Sequence, residues 1–93
     1  MVFKYDVSDK LEMILKKLYK KNRKQYRVIL KKIEQIASCS KEGIIHFKNL
    51  RYDLKDKKRV HIDKHFVLVF KVDIKKNFIL FLDFDHHDNI YKK

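Results

Sequence analysis

The stretch that decides the fold is FVLVFKVDIKKNFILFLDF, residues 66–84, in which two apolar runs flank a short segment rich in charge. Residues 66–72 and 77–84 each have the length of a strand, and most of their positions are β-branched, aromatic or leucine, which is typical of strands buried on both faces. Residues 73–76 predict a hairpin turn between them. We therefore expect two central strands, with helices on one side of the sheet and a groove on the other.

The residues before this hairpin have the period of amphipathic helices. Asp9 and Glu12 have the spacing of a capping box at the start of one helix, and Asn22 and Gln25 have it at the start of a second. Segment 38–43 contains two serines and the one glycine of the chain, and it ends the second helix. The apolar stripes are Leu11, Ile14, Leu15, Leu18 and Tyr19 in the first helix, and Tyr26, Ile29, Leu30, Ile33, Ile36 and Ala37 in the second.

Three shorter segments, residues 1–6, 44–47 and 59–63, have the composition of further strands. In the last of them, Arg59, His61 and Asp63 share one face, because alternate residues of a strand point the same way. The element order predicts an α+β fold: a short N-terminal strand, a two-helix hairpin, and a mainly antiparallel sheet of three to four strands. A chain of 93 residues has room for one domain, residues 1–93.

The composition indicates an acidic partner. The formal net charge is +12, from 24 Lys and Arg against 12 Asp and Glu. Nucleic acid, an anionic membrane surface and an acidic protein would each match this charge, and a compositional bias of the host is the alternative source of it. The single Cys39 allows no intramolecular disulfide. No apolar run has the length of a membrane span, and we expect a cytoplasmic protein that does not bind membranes.

Four of the five histidines fall in two segments, residues 59–65 and 85–91. Imidazole exchanges protons near neutral pH, and metal-free RNA cleavage needs a base for the 2′-hydroxyl, an acid for the leaving 5′-oxygen and cations for the phosphate. Two histidines supply the first two functions, and Arg59 or nearby lysines supply the third. The sequence thus predicts an acid/base site for RNA that uses no metal and no small-molecule cofactor.

A zinc site is the alternative use of these histidines. His61 and His65 have the i, i+4 spacing of a zinc-binding helix, with His86, His87 and Asp88 as further ligands. The surrounding residues have the pattern of a strand, however, in which four residues span about 13 Å. Two rings that far apart share an ion only if the chain turns near residue 63, so the sequence favours a metal-free site.

Over nearly its whole length the chain resembles the RelE/ParE superfamily of small toxins from toxin–antitoxin pairs. The resemblance rests on element order, size, charge and three segments: HFKNL at residues 46–50, RVH at 59–61 leading into FVLVF at 66–70, and HDNIY at 87–91. The histidine-rich, YafQ-like branch matches best. Its members cleave mRNA on the translating ribosome with histidines, an acid and a terminal aromatic residue, without a metal.

This resemblance implies roles for individual residues. His46, His61 and His87 match the histidines of the branch, so we expect His87 as general acid or base with His61 or His46 opposite it. Tyr91 matches the aromatic residue and would stack on an RNA base. His65 stands where the branch has an acid, which leaves either Asp63 or His65 in that role. The residues expected to hold RNA phosphates are Arg59, Lys48, Arg51 and Lys64.

The same resemblance implies partners. A cognate antitoxin protein would bind the helical hairpin and the basic groove through an acidic segment, and mRNA and the ribosome would be the targets. The alternative function is a non-catalytic module, either ParE-like or nucleic-acid-binding, that inhibits its target by binding alone. A binding module gives no reason for His61, His87 and Tyr91 to match a nuclease, and the histidines therefore favour an endoribonuclease.

Overall fold

The computed structural model describes residues 2–51 and 54–91, without the side chains of residues 50, 51 and 54–56. The elements are β1 (Lys4–Val7), α1 (Asp9–Lys21), α2 (Arg23–Ala37), α3 (Lys41–Ile44), β2 (Asn49–Arg51), β3 (Leu54–Ile62), β4 (Phe66–Asp73), β5 (Phe78–His86) and α4 (His87–Tyr91). The five strands form one sheet in the order β1-β5-β4-β3-β2. All neighbours are antiparallel except β1 and β5, which are parallel. This confirms the predicted α+β fold class.

The predicted hairpin forms the centre of the sheet, as the apolar character of both of its strands requires. β4 and β5 pair from Phe66↔His86 to Asp73↔Phe78. The turn occupies residues 74–77, one position later than predicted. Asn77 closes it with a φ of 53°, a left-handed conformation that asparagine tolerates better than most residues. The Asp73 carboxylate accepts a hydrogen bond from the Lys76 amide at 3.1 Å.

The main core lies between the sheet and the pair α1 and α2. Ile29, Ile33 and Ile36 of α2 are fully buried against the sheet residues Leu68 and Phe70. Burying side chains of this size stabilises a fold by about 1.5–3 kcal/mol each. The helical stripe therefore fixes which sheet face the helices cover.

The predicted N-cap residue is correct for α2, and for α1 it lies one residue too late. The Asn22 side chain accepts a hydrogen bond from the Gln25 amide at 3.1 Å, as predicted. The cap of α1 is Ser8, whose hydroxyl accepts from the Leu11 amide at 3.1 Å. Asp9 is wrong as the cap because it already has helical backbone. No helix in the described part of the chain is both long and apolar enough to cross a membrane.

The predicted strand at residues 44–47 is wrong. A short helix, α3, ends at Ile44, and a turn follows it. The Ser40 hydroxyl starts this helix by accepting a hydrogen bond from the Gly43 amide at 3.0 Å, and the helical turn buries Ile44 completely. Local capping and burial thus outweigh the β-branched composition of the segment. The next strand, β2, begins only at Asn49.

A second apolar cluster lies on the opposite face of the sheet, which we call the α4 face. There, Val67 and Val69 of β4 are buried together with Ile90 of α4, and Leu82 and Tyr91 pack against them. The sequence did not predict α4. The side of the sheet that was expected to be a groove is therefore partly covered at the end that carries the histidines.

Candidate active site

The α4 face carries four of the candidate residues at one end of the sheet. Arg59 and His61 lie two residues apart on β3, opposite Val69 and Val67 of β4, so both project toward the α4 face. His87 is the first residue of α4 and Tyr91 the last. The four-residue step between them places both on the same side of the helix.

These four residues form one group, which we call the active cluster: His61, His87, Tyr91 and Arg59. The rings of His61 and His87 are stacked, with their centroids 5.7 Å apart and their planes 21° from parallel. The ring of Tyr91 contacts His87 at 4.5 Å between centroids. The guanidinium carbon of Arg59 lies 5.7 Å from the centroid of the Tyr91 ring. Tyr91 therefore joins the histidine pair to the arginine.

The two imidazoles of the active cluster are more exposed to solvent than its tyrosine and its arginine. The side chain of His87 is 47% exposed, His61 is exposed, and Tyr91 and Arg59 are partly buried. The Nε of Arg59 is buried and has no hydrogen-bond partner among the residues the structure describes. A buried guanidinium N–H without an acceptor is costly. Because this Nε is closed to solvent, an anion would meet only the exposed part of the Arg59 side chain.

The charged neighbour of His87 is Asp88. Its carboxylate lies 3.7 Å from the Nδ1 of His87 and is 80% exposed, so this pair is a weak, solvent-screened one. The backbone of His87 makes a stronger contact than this ion pair. The His87 amide donates a hydrogen bond to the carbonyl of His65 at 2.6 Å, which ties the start of α4 to the turn between β3 and β4.

His65 and His86 form a second histidine pair, on the opposite side of β5 from the active cluster. Their rings are 5.9 Å apart and within 3° of parallel. The His86 ring also meets Phe66 edge to face at 5.7 Å, and Phe66 packs against the main core. The ring of His65 thus lies beside His86 and outside the active cluster, and its expected role as a replacement acid stays a prediction.

Asp63 and Lys64 occupy the turn at residues 63–65, directly after β3. Asp63 has a φ of 57° and is exposed. The prediction that it shares a face with Arg59 and His61 is wrong, because β3 ends at Ile62 and the chain turns. The turn that a zinc pair would need is therefore present, but His61 and His65 stack on different partners. Among the described residues, no group of three or more His, Cys, Asp or Glu is arranged to hold a metal ion.

The remaining candidates lie near the β2 edge. His46 is exposed in the turn after α3, and within the described residues its ring contacts no member of the active cluster. Lys48 is exposed as well, and its carbonyl accepts a hydrogen bond from the Arg59 amide at 2.9 Å, which places it beside the cluster. The backbone of Arg51 belongs to β2, whereas its side chain is outside the described part of the structure.

Two features of the site were missed from the sequence. The helix α4 was not expected, although the four-residue spacing of His87 and Tyr91 and the acidic Asp88 in the first turn are signals for it. The pairing of His86 with His65 was also missed. It depends on the register of β4 and β5, which places Phe66 opposite His86, and sequence spacing gives no such information.

Two relatives match nearly the whole chain. It is 50% identical over 92 residues to a protein of Methanocaldococcus jannaschii named "Putative toxin RelE4", with 99% of this chain and 94% of that protein covered. It is 44% identical over 85 residues to an uncharacterized protein of Methanosarcina mazei, with 91% and 94% covered. No family model matches the chain, and neither does any solved structure.

Proposed function

This chain belongs to the RelE toxin superfamily, and on that premise we propose that it is the toxin of a type II toxin–antitoxin pair that acts as a metal-independent endoribonuclease on mRNA. The observation that carries the proposal is the stacked pair of His61 and His87 beside Arg59 on the exposed end of the α4 face. Two imidazoles at this separation are close enough for both to act on one RNA phosphate, one as base and one as acid.

The reaction needs no group other than the RNA and these side chains. One imidazole takes the proton of the 2′-hydroxyl, and the 2′-oxygen forms a bond to phosphorus. The bond from phosphorus to the 5′-oxygen breaks, and the other imidazole, in its protonated form, gives its proton to that oxygen. The products are a 2′,3′-cyclic phosphate and a 5′-hydroxyl end, and the two histidines finish with their protonation states exchanged.

Arg59 is the residue we assign to the phosphate. Its side chain is only partly buried and its guanidinium lies beside Tyr91, and a guanidinium offers N–H groups in the planar geometry that phosphate oxygens match. Donors that are already in place stabilise the charge that develops in the transition state. Lys48, whose carbonyl accepts a hydrogen bond from the Arg59 amide, is the next cation that we assign to the RNA phosphates.

The partners follow from the family and the charge. We infer that a cognate antitoxin neutralises this toxin through an acidic segment, since the net charge of +12 favours such a partner. The translating ribosome supplies the mRNA, and the protein acts in the cytoplasm. We assign no cofactor to the reaction.

Induction of the chain in growing bacteria, followed by primer extension on a reporter mRNA, tests this function. The unaltered chain is compared with His87→Ala and with Lys76→Ala, which removes an exposed side chain from the turn at the opposite end of the hairpin. We expect new 5′ ends inside the translated frame with the unaltered chain and Lys76→Ala, and none with His87→Ala. New ends in all three would reject the site. Absence of new ends in all three folded chains would favour the non-catalytic binding module.

A further inference from the structure

The pair of His65 and His86 takes no part in the chemistry proposed above, yet it adjoins the start of α4. The two rings are nearly parallel at 5.9 Å, and the His86 ring also rests against Phe66. These two ring contacts favour the observed orientation of the His86 side chain, which is 41% exposed. They thereby favour the directions in which the two imidazole nitrogens of His86 point.

One of those nitrogens meets the first turn of α4. The Nδ1 of His86 accepts a hydrogen bond from the Asp88 amide at 3.2 Å. His86 immediately precedes the helix, and Asp88 is its second residue, so this is the hydrogen bond that an N-cap side chain makes. The first amides of any helix lack partners within the helix, and His86 satisfies one of them.

A helix of five residues depends on such contacts. Isolated helices shorter than about 12 residues are marginal in water, and α4 spans only His87–Tyr91. Two more contacts hold its start, namely the bond from the His87 amide to the His65 carbonyl and the bond from the Asn89 side chain to Asp85 at 3.1 Å. His86 is the residue that joins the cap to the aromatic stack.

We propose that His86 is a positioning residue, whose ring is held by His65 and Phe66 and whose Nδ1 caps α4, so that His87 stays stacked on His61. The catalytic part of this inference rests on the proposed function, whereas the capping part does not. His86 is not a member of the active cluster, and we assign its side chain no contact with the RNA.

Two substitutions of His86 separate its capping hydrogen bond from its ring contacts. His86→Asn keeps an acceptor that is suited to an N-cap and loses the ring, whereas His86→Phe keeps the ring and loses the acceptor. Each variant and the unaltered chain are compared by NMR hydrogen exchange of the α4 amides and by the rate of reporter mRNA cleavage in a reconstituted translation reaction. Thermal unfolding confirms that each variant is folded.

We expect His86→Phe to speed exchange at the α4 amides by about 2- to 30-fold, the effect of losing one helix cap. Its maximal cleavage rate should fall while the mRNA concentration for half-maximal rate stays the same, because His87 is displaced but the phosphate contacts remain. His86→Asn should stay within about twofold of the unaltered chain in both measurements, since the cap is kept.

Several results would overturn the inference. Normal exchange at α4 in His86→Phe would show that the Nδ1 contact does not hold the helix. Loss of cleavage in both variants with unchanged exchange would place His86 in the chemistry itself. If the unaltered chain cleaves no mRNA, the proposed function fails, and the exchange measurement still decides whether His86 caps α4.

Discussion

His61 on β3 and His87 at the start of α4 stack with their ring centroids 5.7 Å apart and their planes 21° from parallel. The contact joins two segments that are 26 residues apart in the sequence. It exists because β3 and α4 both pack on β4, through the pairing of His61 with Val67 and the burial of Ile90 in one cluster with Val67 and Val69. The central strand therefore aligns the two imidazoles.

His61 and His46 are the two histidines that could act opposite His87, and they differ in their surroundings. We therefore expect their substitution to lower the cleavage rate by different amounts. His61→Ala should lower the rate of mRNA cleavage by about 10²- to 10⁴-fold, the usual contribution of a general acid or base. His46→Ala should lower it by less than about tenfold, because the described contacts of His46 include no member of the active cluster. Primer-extension yields at matched protein levels measure both. Equal losses of cleavage rate in the two variants would show that His46 belongs to the active site.

The cleavage rate should be sensitive even to replacement of Arg59 by another cationic residue. Arg59→Ala should lower the maximal cleavage rate by about 10²- to 10³-fold, in line with the loss of one preorganised donor. Arg59→Lys should recover only part of this, because an ammonium lacks the planar fork of N–H groups. Single-turnover cleavage of the reporter mRNA is the measurement, with Lys76→Ala as the control for lost charge. Full activity of Arg59→Lys would argue against the assigned phosphate contact.

The ring of Tyr91 should matter more than its hydroxyl. Tyr91→Phe keeps the contacts with His87 at 4.5 Å and with Arg59, and we expect it to retain most of the cleavage rate. Tyr91→Ala removes both contacts and should cost at least tenfold. Cleavage assays on both variants, with Tyr19→Ala as a control for loss of an exposed tyrosine, measure the difference. A Phe variant as slow as the Ala variant would assign the function to the hydroxyl.

The cap of α1 gives a prediction about stability. Ser8→Ala removes the acceptor of the Leu11 amide and the donor to the Leu82 carbonyl at 2.6 Å. We expect it to lower the free energy of unfolding by about 1–2 kcal/mol. Urea unfolding followed by circular dichroism measures this, and Ser8→Asp, which restores the cap, is the comparison. No loss in Ser8→Ala would mean that Ser8 does not hold the helix start.

Much of the fold could be predicted from the sequence because the long elements carry strong periods. The apolar runs of residues 66–72 and 77–84 predict β4 and β5 almost to their ends, and the stripes of α1 and α2 define which face is buried. Elements of this length bury enough apolar surface that tertiary structure reinforces their local pattern. Asn22 is correct as a cap for the same reason, since it directly precedes a long stripe.

The short elements could not be predicted in this way. α3 has four residues and α4 has five, which is too few for a helical period to appear. The left-handed Asp63 ends β3 at a position where strand alternation alone would continue. These short segments determine which candidates meet, so the sequence identifies His61 and His87 as candidates but not the stack between them, and it gives no reason to separate His65 from both.

A double-mutant cycle on His61 and His87 tests the central claim most directly. The single-turnover rate of reporter mRNA cleavage is measured for the unaltered chain, for His61→Ala, for His87→Ala and for the double variant, all confirmed as folded. If the pair acts as one acid/base unit, the double variant should be no slower than about the slower single variant, because residues of one catalytic unit are not additive. Losses that multiply in the double variant, or full activity in either single variant, would contradict the claim.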